Sequence, residues 1–141
     1  MFHEVVDDPG SMTPAELHER YEGELLDVLE GHDIGEVAAA SGVDEATLRS
    51  LEDGEAPELT LDEAASVLAV LDRTPDADAI ATMSRDALLM GMTTAVLDVE
   101  AVESGLGGQL EAREIQSKVE GRFPMTMREF ALLQQYIESE K

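Results

Sequence analysis

Residues 33–71 read DIGEVAAASGVDEATLRSLEDGEAPELTLDEAASVLAVL, and the fold class is decided in this stretch. Asp33 is placed to cap a short helix that carries Ile34, Val37 and Ala38 and stops at Ser41-Gly42. Asp44 caps the next helix, with Val43 before it and Leu48 four positions after it at the spacing of a hydrophobic staple. Leu48 and Leu51 point inward, and Gly54 closes this helix. Beyond the Pro57 loop, Thr60-Leu61-Asp62-Glu63 forms a capping box, because a Thr hydroxyl and a Glu carboxylate three residues on can each satisfy the other's free N–H. It opens a helix with Leu61, Ala64, Val67, Leu68 and Leu71 on its inner side, which Thr74-Pro75 breaks.

The same signals recur outward from this core. Upstream, Thr13-Pro14-Ala15-Glu16 starts a helix whose apolar face is Leu17, Tyr21, Leu25, Val28 and Leu29, ended by Gly31. Residues 1–12 read as an irregular lead-in ending at Pro9-Gly10. Downstream, Asp76 to Met83 predicts a short helix, and Ser84 is read as the cap of a longer one through Leu88, Met92, Ala95 and Val96. Asp98 starts a short helix with Val99 and Val102, ended by Gly105. Gly107-Gly108 turns the chain into a helix over Leu110–Glu120, and a last helix runs from Thr126 to about Glu138. No stretch alternates with period two, so the expected class is all-α: a small helical fold with two tandem helix-turn-helix-like units.

The two units are expected over residues 13–74 and 84–139, packed as one globule after the 1–12 lead-in. Their anchors correspond at nearly constant offsets. Asp33 and Asp98 are 65 apart; Gly54 and Pro57 match Gly121 and Pro124 at 67; Thr60, Glu63 and Ala65 match Thr126, Glu129 and Ala131 at 66. Ser41-Gly42 pairs with Ser104-Gly105 at 63, which requires a gap. Either an internal duplication or the independent acquisition of similar caps by helical hairpins rich in Glu and Ala accounts for this pattern.

The first unit also resembles the phage-repressor (Cro-like) helix-turn-helix family. Gly42 matches that family's turn, Glu52-Asp53-Gly54 the end of its recognition helix, and Thr60 to Ala69 the helix that follows, within a likeness covering residues 14–73. The resemblance implies a regulatory role. The chain as a whole resembles a small haloarchaeal family of uncharacterised proteins, which carries no activity over.

Charge sets the solvent. The chain has 141 residues, with 32 Asp and Glu against 9 Lys and Arg, a formal net charge of −23. Such self-repulsion opposes a compact state in dilute buffer, whereas in molar salt the Debye length falls to about 3 Å and screens it. Seven of the nine cations are Arg, a composition like that of haloarchaeal cytoplasmic proteins. Cysteine is absent, removing disulfides and thiolate chemistry, and no apolar run reaches membrane-spanning length. The start MFHEVVDDPGSM lacks a basic segment, so the expected location is the cytoplasm, with no membrane partner.

The carboxylate excess is uneven. Residues 111–141 hold five cations and six acids, net −1, while residues 1–110 carry −22. In helix-turn-helix proteins the recognition helix enters the major groove by its N-terminal end. The first unit offers Asp44-Glu45-Ala46-Thr47 there, with Arg49 as its one cation. The second offers Arg113, Gln116, Ser117 and Lys118, with Arg122 and Arg128 beyond, donors suited to phosphates and base edges. These six are the candidate nucleic-acid or partner-binding residues. DNA is one expected partner; another protein or a second copy of the chain is the alternative, with the same residues as a solvated face that includes Glu114–Lys118 at i,i+4.

Phe123, Phe130, Leu133, Tyr136 and Ile137 read as core, as do Met83, Met90 and Met92. His3, His18 and His32 are scattered without metal-ligand spacing, and Gly105-Leu106-Gly107-Gly108 lacks the strand and Lys of a phosphate loop. No catalytic constellation, metal or cofactor is expected. The charge pattern predicts that desalting lowers the helical circular-dichroism signal and that molar KCl restores it; an unchanged signal would show the carboxylates to be unfrustrated.

Overall fold

The computed structural model describes residues 2–55, 57–71 and 76–141. Eight α-helices lie among them: α1 (Pro14–Gly31), α2 (Ile34–Ser41), α3 (Glu45–Glu52), α4 (Leu61–Leu68), α5 (Ala77–Ala95), α6 (Val99–Gly105), α7 (Ala112–Val119) and α8 (Met127–Ser139). No strand occurs among the described residues, and the fold is all-α. Helices α1, α4 and α8 begin with full capping boxes. In each the Thr hydroxyl (Thr13, Thr60, Thr126) accepts from the Glu amide at 3.0–3.1 Å, and the Glu carboxylate accepts from the Thr amide at 2.9–3.0 Å. Two N–H groups that a helix start leaves free are thereby satisfied.

The order long, short, short, closing helix occurs twice, and the buried positions follow it. Shifted by 63, the buried residues Leu17, His18, Tyr21, Leu25, Val28 and Leu29 of α1 fall on Ile80, Ala81, Ser84, Leu88, Gly91 and Met92 of α5, which are the buried residues of that helix. Gly54 and Gly121 follow α3 and α7 at φ 79° and 80°, a left-handed turn that disfavours any residue with a Cβ. The amide after each closes a Schellman turn, Glu55 onto the Ser50 carbonyl at 2.9 Å and Arg122 onto Ser117 at 2.8 Å.

The two halves meet at one antiparallel bridge between Thr60 and Thr126. The Leu61 amide donates to the Met125 carbonyl at 2.6 Å, and the Met127 amide to the Leu59 carbonyl at 2.8 Å. At the offset of 66 each bond is the counterpart of the other, as across a local two-fold axis. Packing obeys the same relation: α1 lies on α8 and α5 lies on α4, so the first helix of each half packs on the closing helix of the other. Tyr21 at the centre meets Phe2 edge-on at 5.8 Å and Phe130 at 5.5 Å. Burial pushes the Tyr21 phenol pKa well above its ordinary value.

Four expectations change. The 1–12 segment is docked and not irregular: it forms two 3₁₀ turns, Phe2–Glu4 and Pro9–Ser11, and Phe2 and Pro9 are buried. Gly10 runs so close to α8 that a Cβ there would stand 2.8 Å from the Ser139 nitrogen. No break occurs at Ser84. Asp76 caps α5 through the Ala79 amide at 2.8 Å, and the Ser84 hydroxyl satisfies itself on the Ile80 carbonyl within the helix. The counterpart of Gly42 (φ 76°) is Gly107 (φ 66°) and not Gly105, which stays helical beneath the Tyr136 ring. Leu71, Met83, Met90 and Phe123 are exposed and not core. The expected break at Thr74-Pro75 lies outside the described residues.

Val96 ends α5 at φ 57°, 88 % exposed, a left-handed conformation that costs a side-chain-bearing residue about 1–2 kcal/mol. Because the boxes at Thr60 and Thr126 hold the bridge from both sides, Thr60→Ala and Thr126→Ala should each lower stability by about 1 kcal/mol in urea unfolding. Loss at one site alone would break the symmetry described.

Candidate functional site on helix α7

Helix α7 buries Ile115 and Val119 and turns Arg113 and Gln116 to solvent, a consequence of apolar residues four apart on a two-turn helix. The turn at Gly121 then carries Arg122, Phe123 and Pro124 back along the same side toward α8. Phe123 is 60 % exposed, and with Pro124 it lines a surface cavity of about 480 Å³ together with Arg113, Glu114, Ser117 and Lys118. Three of the six candidate residues therefore share one groove. Gln116 faces a neighbouring acidic cleft with Glu100, Glu103 and Glu111, and Arg128 sits apart in a hollow beside His18.

Several of the candidate donors are already engaged. The Lys118 ammonium bonds the Glu129 carboxylate and lies 3.7 Å from Glu114, with its side chain only 16 % exposed. Glu129 is also the box carboxylate of α8, so Lys118 ties α7 to the start of that helix. Arg85 of α5 braces the same corner, donating to the Lys118 carbonyl at 3.2 Å and pairing with Asp62 at 3.4 Å. Glu120 accepts from Gln116 Nε2 and from Arg122 Nε, both at 3.2 Å. Arg113 and Arg128 are in no ion pair among the described residues. His18, beneath Arg128, has its pKa held below the ordinary value by burial, opposed by Glu22 and reinforced by Arg128.

What remains at the groove is an apolar floor with one unpaired guanidinium at its edge. Such a surface can seat an apolar side chain and pair with a carboxylate or phosphate beside it. The sequence reading missed Phe123 because an aromatic next to a helix reads as core; the preceding Gly121-Arg122 was the available sign of a tight turn that leaves it outside. On α3 the matching positions carry Arg49 paired to Glu45 at 3.4 Å, and Ser50 and Leu51 where α7 has Ser117 and Lys118. Among the described residues no group of three or more His, Asp or Glu is placed to hold a metal ion, and no helix is long and apolar enough to cross a membrane.

Fold and site together define a small all-α protein of two like four-helix halves with an exposed groove beside its seventh helix. The chain belongs to a family of unknown function, DUF5791, whose profile matches residues 17–140. No curated protein and no solved structure matches it.

Because Lys118 anchors a helix start and Arg113 does not, their truncations should separate. Lys118→Ala is expected to lower stability by about 1–3 kcal/mol by stranding Glu129, and Arg113→Ala to stay within about 0.5 kcal/mol; urea titrations of both variants check this, and equal effects would contradict it.

Proposed function

We propose that this protein is a non-enzymatic, regulatory helix-turn-helix module of a salt-rich cytoplasm, which uses the α7 groove to bind another protein. One observation carries the reading: Gln116, Lys118 and Arg122, three of the donors that a DNA-reading helix would present, are held by the protein's own carboxylates. DNA readout needs free donors aimed at phosphates and bases. A groove floored by Phe123 and Pro124 with a free Arg113 suits a peptide segment that offers an apolar side chain next to an acidic one. The net charge of −23 supports the salt-rich setting, since screening is what makes so acidic a fold stable.

A second reading keeps DNA as the partner. It is favoured by the correspondence of the halves, which gives α3 and α7 equivalent places in the element order, as dimeric helix-turn-helix proteins offer one recognition helix to each half-site. The readings part in molar KCl. Peptide libraries selected on the full chain should yield binders with an apolar residue beside Asp or Glu, weakened roughly tenfold or more by Phe123→Ala and by Arg113→Glu. Genomic DNA fragments should not bind under the same conditions. DNA binding that Arg113→Ala and Lys118→Ala weaken and Arg49→Ala does not would overturn the protein-binding reading in favour of the second.

A further inference from the structure

The fold contains its own control for what a solvated helix face looks like. Helices α1 and α5 occupy equivalent places, with buried sets that coincide at an offset of 63. On α1 the outward positions Glu19, Arg20, Asp27 and Glu30 are exposed and charged. Their counterparts on α5 are Thr82, Met83, Met90 and Thr93, also exposed and all uncharged. Met90 is 70 % exposed, and Leu89, Thr94 and Val96 extend the same bare surface to the end of the helix. Of the two charges between residues 79 and 97, Arg85 is turned inward onto Asp62 and the Lys118 carbonyl. The other, Asp86, is exposed between Met83 and Met90 and shares a cavity of about 460 Å³ with them, His3, Lys141 and Glu138, whose carboxylate pairs with Lys141 at 2.9 Å. Val96 holds a left-handed conformation in which a β-branched residue is strained, yet its side chain meets solvent.

We propose that the outer face of α5, centred on Met83, Leu89, Met90 and Val96, is the contact through which two copies of this chain associate. Charge selects the occupant. A basic partner would be drawn to the carboxylate-rich faces, and has no reason to prefer a long helix face that presents a single carboxylate, Asp86, between residues 79 and 97. A partner as acidic as this chain approaches most readily where both sides present the fewest carboxylates, because like charges in register repel. A second copy is such a partner, and a two-fold pairing sets the bare face of one copy against the bare face of the other. This contact is independent of whatever occupies the α7 groove.

Sedimentation equilibrium of the full chain in molar KCl, over about 1–100 µM, should show a dimer. Giving α5 the charges that α1 bears, as Thr82→Glu, Met83→Arg, Met90→Asp and Thr93→Glu together, should weaken dimerisation roughly tenfold or more with the helical signal retained. The chain has no cysteine, so a second measurement is available. Under oxidation Met90→Cys should form a covalent dimer, and Asp27→Cys, at the equivalent place on α1, should not. The cysteine pair decides the matter if the fourfold variant fails to fold. A monomer throughout, a dimer untouched by the charged variant, or equal cross-linking from Asp27→Cys overturns the proposal. Phe123→Ala should leave the dimer intact, which separates this result from the fate of the α7 groove.

Discussion

Two hydrogen bonds, Leu61 to Met125 and Met127 to Leu59, set the geometry of the molecule. They join the chain immediately ahead of two capped helices, where backbone groups are not yet committed to a helix. Since both partners sit at equivalent places in their halves, the bridge can form only if the halves face each other across a two-fold relation. That relation then dictates which surfaces must be apolar: α4 has to accept α5, and α8 has to accept α1. Leu59, Leu61, Met125 and Met127, flanking the bridge, are all buried, so the bonds lie where water does not compete for them.

Much of this architecture was legible in the residues, and for identifiable reasons. Thr60-x-x-Glu63 and Thr126-x-x-Glu129 are local devices whose geometry depends on two intervening residues and little else, so they read correctly from sequence. The glycines at 54 and 121 are legible for the same reason. Ser84 was not, because a Ser hydroxyl serves equally as a cap or as a donor to the carbonyl four residues back, and only the presence of Asp76 eight residues earlier decides between them. Phe2 was not, because its partner Tyr21 lies on a helix that a lead-in need not touch.

The candidate site was less legible than the fold. A list of donors in sequence says nothing of whether a carboxylate from another helix has claimed them. Lys118 has the right spacing from Glu114 to form an intrahelical pair, yet it prefers Glu129 on α8, a partner eleven residues away that tertiary packing supplies. Likewise Phe123, Met83 and Met90 are apolar residues outside the core, and periodicity cannot mark them as such: Met90 differs from buried Met92 by only two positions on one helix. The near-neutral stretch after residue 110 owes its balance in part to cations that the structure consumes internally, so low net charge there does not translate into a uniformly receptive surface.

The exchange of partners between halves bears on how the chain comes to be folded as it is made. Helix α1 is synthesised first, but its most extensive packing partner is α8, more than ninety residues later, and α4 must likewise await α5 for part of its cover. Until α8 leaves the ribosome, α1 has chiefly α3 and α4 of its own half against which to cover its apolar stripe of Leu17, Tyr21 and Leu25. Completion of the fold is therefore deferred to the end of translation, and the nascent protein passes through a stage in which its apolar helix faces are only partly covered. Under those conditions the dense carboxylate coat, concentrated in the portion synthesised first, keeps incomplete chains apart.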